Sequence, residues 1–189
     1  MSRTAPTIPL YRQLNSVYSV YPLPPIRSPL MRRTEREISD PASMQQVLRD
    51  ATEMYIALNS GETPYVLPVN YVYHNGCIYF HCALEGRKLD LLRADPRIGF
   101  STAVDVRVEK TTTRYRSVCG TGVGELVDDP ALKDEVLRVF AARYNAPCVF
   151  PVSAEKFACT GIVCIRIETL TGKHSRPGEG PRPVPHFER

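Results

Sequence analysis

The stretch FHCALEGRKLDLL, Phe80–Leu92, changes its period halfway through. It runs out of Cys77-Ile78-Tyr79 as an apolar, β-favouring strand. It ends as a helix, with Leu89, Leu91 and Leu92 ahead of the stop Asp95-Pro96. His81, Gly86, Arg87 and Lys88 sit at the seam. Two cations on a first helical turn oppose the dipole, at a cost of a few tenths of a kcal/mol. An anion at that spot reverses the sign: free backbone N–H groups, an arginine fork and a lysine point charge all favour a phosphate. Gly86 lets a ligand approach the backbone. The competing reading is a solvated basic turn, neutralised by Glu85 and Asp90. Neither a Walker loop nor GxGxxG is present, so a nucleoside triphosphate is not indicated.

The flanking sequence surrounds this seam with strands. Met54 to Leu58 reads as a strand ending in the turn Asn59-Ser60-Gly61. Tyr65 to Tyr73 follows, and His74-Asn75-Gly76 is a hairpin signal leading into Cys77 to Ala83. Ile98 to Val104, Arg114 to Leu126 and Thr160 to Leu170 complete the set, the last alternating imperfectly. Helices are expected after Asp40-Pro41, at 87–94 and after Asp129-Pro130, where Leu132, Leu137 and Phe140 supply apolar contacts. The expectation is a mostly β fold: about six antiparallel strands curled into a small barrel, with short flanking helices. No βαβ repeat supports a parallel sheet.

Charge and composition narrow the partners. The net charge is +4, yet 31–174 carries 18 cations and 18 anions, so nucleic-acid binding is not indicated. The excess lies in two tails, 1–30 and 175–189, which hold ten of the 17 prolines and read as extensions outside the core. Residues 1–30 lack acids, as organellar leaders do, but six prolines oppose the amphipathic helix of such a leader. No run approaches the ~20 apolar residues of a membrane span. The six cysteines form no CxxC or zinc spacing and read as reduced thiols of a cytoplasmic protein.

YFHCALEGRKLDLL resembles the strand-turn-helix segment of the FMN-binding split-barrel proteins related to pyridoxamine 5′-phosphate oxidase. PYVLPVNYVY, 64–73, is similar to the strand that runs along the isoalloxazine ring. YRSVCGTGVGEL, 115–126, is similar to the strand that reaches the flavin from the partner subunit. MRRTEREISD, 31–40, and TGKHS, 171–175, resemble the nitroimidazole-resistance-like branch. The resemblance spans about 31–175 and leaves the tails out, so 31–174 is expected to be an FMN-binding split-barrel domain.

The resemblance implies that Arg87 and Lys88 grip the FMN phosphate. It puts His81, Cys82 and Ala83 beside the phosphate, the ribityl chain or the ring edge, and Leu67, Pro68, Val69 and Asn70 along the ring. Ser117 and Val118 would come from the second chain of a homodimer. His81 matches a histidine that the nitroimidazole-resistance branch has at its active site; it is either catalytic or only a cofactor contact. In a regular strand the Cys82 side chain points away from the His81 face. His74, in a hairpin turn, is expected to be solvated. The implied activity is two-electron transfer from a reduced nicotinamide, NAD(P)H, to a small acceptor such as a nitroaromatic or a quinone. The substrate-gripping residues of the oxidase itself are not recognisable. Two alternatives stand beside it: a flavin store or sensor without turnover, and a haem-binding barrel with His81 or His174 as axial ligand. No nucleophile motif points to hydrolysis.

Overall fold

The computed structural model describes residues 31–61, 63–109, 112–147 and 150–175; both proline-rich tails lie outside the described residues. Eight strands form one antiparallel sheet. They are β1 (Glu37–Ile38), β2 (Glu53–Leu58), β3 (Tyr65–Asn70), β4 (Val72–His74), β5 (Cys77–Cys82), β6 (Arg97–Glu109), β7 (Thr112–Leu126) and β8 (Gly161–His174). The helices are α1 (Pro41–Asp50), α2 (Arg87–Ala94), α3 (Pro130–Arg143) and α4 (Ala154–Cys159). None is long and apolar enough to cross a membrane among the described residues.

The strand order is β3-β2-β6-β7-β8-β5-β4, with β1 beside β8. The two ends of that path, β3 and β4, are successive pieces of one extended segment. The sheet therefore curls until its ends meet in the chain itself, and only Tyr71 separates them. This is a split barrel. The expected six strands become eight because Tyr65–Tyr73 divides at Tyr71 and because β1, two residues long, carries no periodic signal. α4, six residues long, was likewise not expected from the sequence.

Polar groups at the split find partners far along the chain. The Tyr71 N–H donates to the Tyr144 hydroxyl at 3.1 Å, and that hydroxyl lies 2.7 Å from the Tyr71 carbonyl and 2.6 Å from that of Thr52. Its single proton serves one carbonyl at a time. The buried Tyr71 hydroxyl donates to the Leu48 carbonyl at 2.7 Å.

Two apolar clusters result. The barrel interior holds Met54, Ile56, Ile78, Phe80, Val163 and Ile165, joined by Met44 and Leu48 of α1 and by Leu89 and Leu92 of α2. Each such side chain contributes about 1.5–3 kcal/mol on burial. The second cluster lies outside the barrel wall, where Val136 and Phe140 of α3 cover Val72, Cys77, Tyr79, Ile162 and Cys164. The irregular pattern of β8 has a local cause. Thr121 pairs with Thr169 but Gly122 with Ile167, so a bulge at Glu168 shifts the alternation by one. The glycines late in β7 mark close approach: a Cβ on Gly120 would stand 2.3 Å from the Thr169 carbonyl oxygen and 2.4 Å from the Phe100 ring.

Candidate functional site

Strand β5 separates the two clusters, and its alternation sorts the candidate residues. Ile78, Phe80 and Cys82 turn toward the barrel core, while Cys77, Tyr79 and His81 turn toward α3. Cys82 and His81 thus occupy opposite faces, as a regular strand requires. The His81 ring meets Phe140 edge-on, with centroids 5.1 Å apart and planes at 74°. Burial lowers the His81 pKa from its ordinary value, and the Lys88 charge lowers it further. The imidazole is therefore neutral at pH 7. Burial pushes the Cys82 thiol up, against the opposing charges of Lys88 and Arg93. A neutral, half-buried thiol is a poor nucleophile.

Helix α2 begins at the predicted place. Gly86 is its N-cap at φ 115° and ψ 165°, a backbone conformation that favours glycine, and no side chain caps the first turn. The Gly86 carbonyl accepts from Leu89 N–H at 2.8 Å. Arg87 lies over the Tyr65 ring, 4.7 Å from its centroid, and the Lys88 ammonium lies 5.3 Å from that of Phe80. These contacts draw the start of α2 between β3 and β5. Asp90, which the sequence offered as a neutralising partner, pairs instead with Arg93 at 3.2 Å. Among the described residues no carboxylate pairs with Arg87 or Lys88. Asp90 shares the first turn, but it forms no ion pair with either cation among the described residues.

In β3, Leu67 packs against the barrel core and Val69 is buried, whereas Pro68 and Asn70 are exposed. β3 ends the hydrogen-bonded path, so one of its backbone edges stays outside the ladder. Proline suits such an edge because it has no N–H to pair. Ala83 is exposed just past β5.

The structure brings β3, His81, Arg87 and Lys88 to one region but leaves Ser117 and Val118 elsewhere in the same chain. Both sit on β7, with β8 between them and β5. Val118 is fully buried in the barrel core, so its side chain is turned inward. Ser117 faces the other way, half-buried, its hydroxyl 3.5 Å from the Lys173 carbonyl. A cavity of about 610 Å³ lies elsewhere, lined by Ala57, Asn59, Pro64, Arg97, Gly99 and Thr121 among others, and by none of the predicted site residues.

One histidine reading changes. His74 is not a free turn residue: it is partly buried and its Nε2 lies 2.6 Å from Glu135 Oε1, tying the β4–β5 hairpin to α3. His81 and His174 lie at opposite ends of β8's span, since His81 pairs with Ile162 and His174 is the last residue of the strand. The sequence reading missed Tyr65, Phe80, Phe140 and Tyr144 as neighbours of the candidate residues. Only the i, i+4 spacing of the last two offered a signal.

Known structures share this architecture. A protein from Bacteroides thetaiotaomicron described as a candidate for 5-nitroimidazole antibiotic resistance superposes with a TM-score of 0.66 at 20% identity, covering 73% of this chain and 86% of its own. A flavocytochrome from Azotobacter vinelandii gives 0.68 at 21% identity, covering 84% and 77%. A FAD- and haem-binding protein from Mycobacterium smegmatis gives 0.65 at 16% identity, covering 77% of each. No curated protein sequence matches. At these identities the likeness is one of fold. The sequence itself goes further: residues 40–174 match the family model for pyridoxamine 5′-phosphate oxidase. With the split barrel and the basic turn in their expected places, the chain belongs to the pyridoxamine 5′-phosphate oxidase family.

Proposed function

We propose that this chain is an FMN-dependent oxidoreductase that moves two electrons from a reduced nicotinamide to a small acceptor. The observation that carries the reading is the start of α2, where two cations have no carboxylate ion-pair partner among the described residues and no side chain caps the helix. The residues present fit a flavin phosphate: Arg87 supplies a fork, Lys88 a compact charge, and the first turn its unpaired N–H groups. The free edge of β3 and the exposed Asn70 offer hydrogen-bonding groups for a flat polar ring. Bound flavin supplies the two-electron chemistry, so no triad or metal is asked of the protein.

His81 then has a defined part. A neutral imidazole donates through one nitrogen and accepts through the other, so it orients a polar acceptor rather than serving as a charged acid. The side chain is therefore an orienting contact at neutral pH, and a proton donor only below its lowered pKa. A homodimer belongs to the reading: Ser117 is remote from α2 within one chain, and the resemblance would have it contribute from a second copy. The flavin-containing names of several structural relatives agree with the cofactor class. FMN is favoured over FAD because the phosphate-gripping segment Gly86–Lys88 is the feature the sequence shares most clearly with the FMN-binding proteins.

The test is the visible spectrum of the purified protein, followed by separate anaerobic additions of NADH and NADPH, with mass identification of any released flavin. Flavin bands that bleach with either donor are expected. Bands that no nicotinamide bleaches, even with acceptor supplied, would make the protein a flavin store or sensor. A colourless protein that also fails to bind added FMN would overturn the reading.

A further inference from the structure

Two walls of the proposed site are fixed by one helix. Phe140 on α3 and Tyr144, the residue that caps its C-terminus, are one turn apart, and their rings stack with centroids 5.9 Å apart and planes at 17°. Phe140 meets His81 on β5. The Tyr144 hydroxyl accepts from the Tyr71 N–H at 3.1 Å and lies within 2.7 Å of the Tyr71 carbonyl, at the break that ends β3. The preceding residue, Arg143, donates to the carbonyls of Asp50 and Ala51 at 2.9 Å each, anchoring this end of α3 to the exit of α1. β3 makes no ladder with β5 and reaches the β4–β5 ladder through Tyr71 alone, so the junction at Tyr71 sets how the Leu67–Asn70 edge sits relative to His81. The aromatic pair ties that junction to His81.

We infer that Phe140 and Tyr144 act as one positioning unit that sets His81 and the Leu67–Asn70 edge relative to each other; the inference rests on the flavin reading of that site. Each acts through another residue, Phe140 through His81 and Tyr144 through Tyr71. Phe140 gives the imidazole a fixed flat neighbour, and Tyr144 supplies the hydrogen bonds that the interrupted strand cannot make with another strand. Because the two rings are stacked, a change at one reaches the other.

The experiment uses the full chain and the variants Phe140→Leu, Phe140→Tyr and Tyr144→Phe. It reads three quantities: the FMN dissociation constant, the His81 ring resonances and the hydrogen-exchange rate of the Tyr71 amide. Phe140→Leu is expected to shift the His81 resonances, to speed Tyr71 exchange and to weaken FMN binding about tenfold, with Phe140→Tyr restoring all three. Tyr144→Phe is expected to speed Tyr71 exchange and weaken FMN to a similar degree while also moving the His81 signals. A Phe140→Leu variant that shifts His81 while Tyr71 exchange and FMN affinity stay at wild-type values would overturn the inference. Should Phe140→Leu not fold, Tyr144→Phe reads the same coupling from its other end, and unmoved His81 signals there would overturn it. Failure of the wild-type protein to bind flavin would instead remove the cofactor reading, and the His81 and Tyr71 readouts would still decide whether the two rings act together.

Discussion

The first turn of α2 and the first turns of α1 and α3 solve the same problem with opposite chemistry. α1 and α3 each begin with Asp-Pro. Asp40 accepts from the backbone N–H groups of Ala42 and Ser43 at 3.3 and 2.9 Å, and Asp129 from that of Ala131 at 2.9 Å. The protein thus supplies its own anion where the dipole calls for one. α2 has a glycine cap, no capping side chain, and Arg87-Lys88 in its first turn. A helix start without a capping carboxylate, against two that have one, is where a ligand's anion has most to add.

That contrast breaks most visibly if the two cations go. Arg87→Ala with Lys88→Ala removes two charge-assisted contacts worth about 1.5–3 kcal/mol each, so FMN affinity is expected to fall at least 100-fold in a fluorescence titration. Unchanged affinity would reduce the turn to a solvated basic surface. Gly86→Ala comes next, at about 1–3 kcal/mol of stability by urea unfolding, because its φ of 115° disfavours any side chain. No atom lies within 4 Å of the added Cβ, so that cost is purely one of backbone conformation. On the other side of the comparison, Asp129→Ala is expected to cost about 1 kcal/mol while leaving FMN affinity unchanged.

The smallest effects are pH effects. Ser43 holds the Asp40 carboxylate below its ordinary pKa, through its hydroxyl first and its N–H second. That contribution is present above the ordinary carboxylate value and is lost as pH falls through the lowered one. Asp40→Asn should therefore flatten the acid limb of a melting-temperature profile. His81 also has a lowered pKa, so the unfolded chain binds the proton more readily and stability rises with pH across the window up to the ordinary histidine value. Lys88→Gln should move the His81 midpoint upward in an NMR titration without restoring it, since burial is the larger cause.

Much of this was legible locally. Asn75 and Gly76 take φ of 48° and 81° in the hairpin that the sequence signalled. The Asp-Pro starts and the 87–94 helix fall where the local chemistry puts them. What was hidden depends on distant residues. Tyr71 is a good strand former, and nothing near it announces a break; the break is stable because of a hydroxyl 73 positions away. His74 looked solvated because Glu135, its partner, is 61 positions away. The β3, α2 and β5 parts of the site could be read from their own segments, whereas the contacts that orient them lie on α3.

The connection between β7 and β8 shapes how such a molecule diversifies. Those strands pair from Arg116 with His174 through Leu126 with Val163, and everything from 127 to 160 leaves and returns beside that last pair. Doubling such an excursion adds only about 0.6 kcal/mol of closure entropy. The β7–β8 pairing sets little limit on the excursion's length, but its contents are tied to the barrel: Val136 and Phe140 cover the wall and Tyr144 holds the break at Tyr71. A change within this excursion therefore reaches the barrel wall, the Tyr71 break and the surroundings of His81 together.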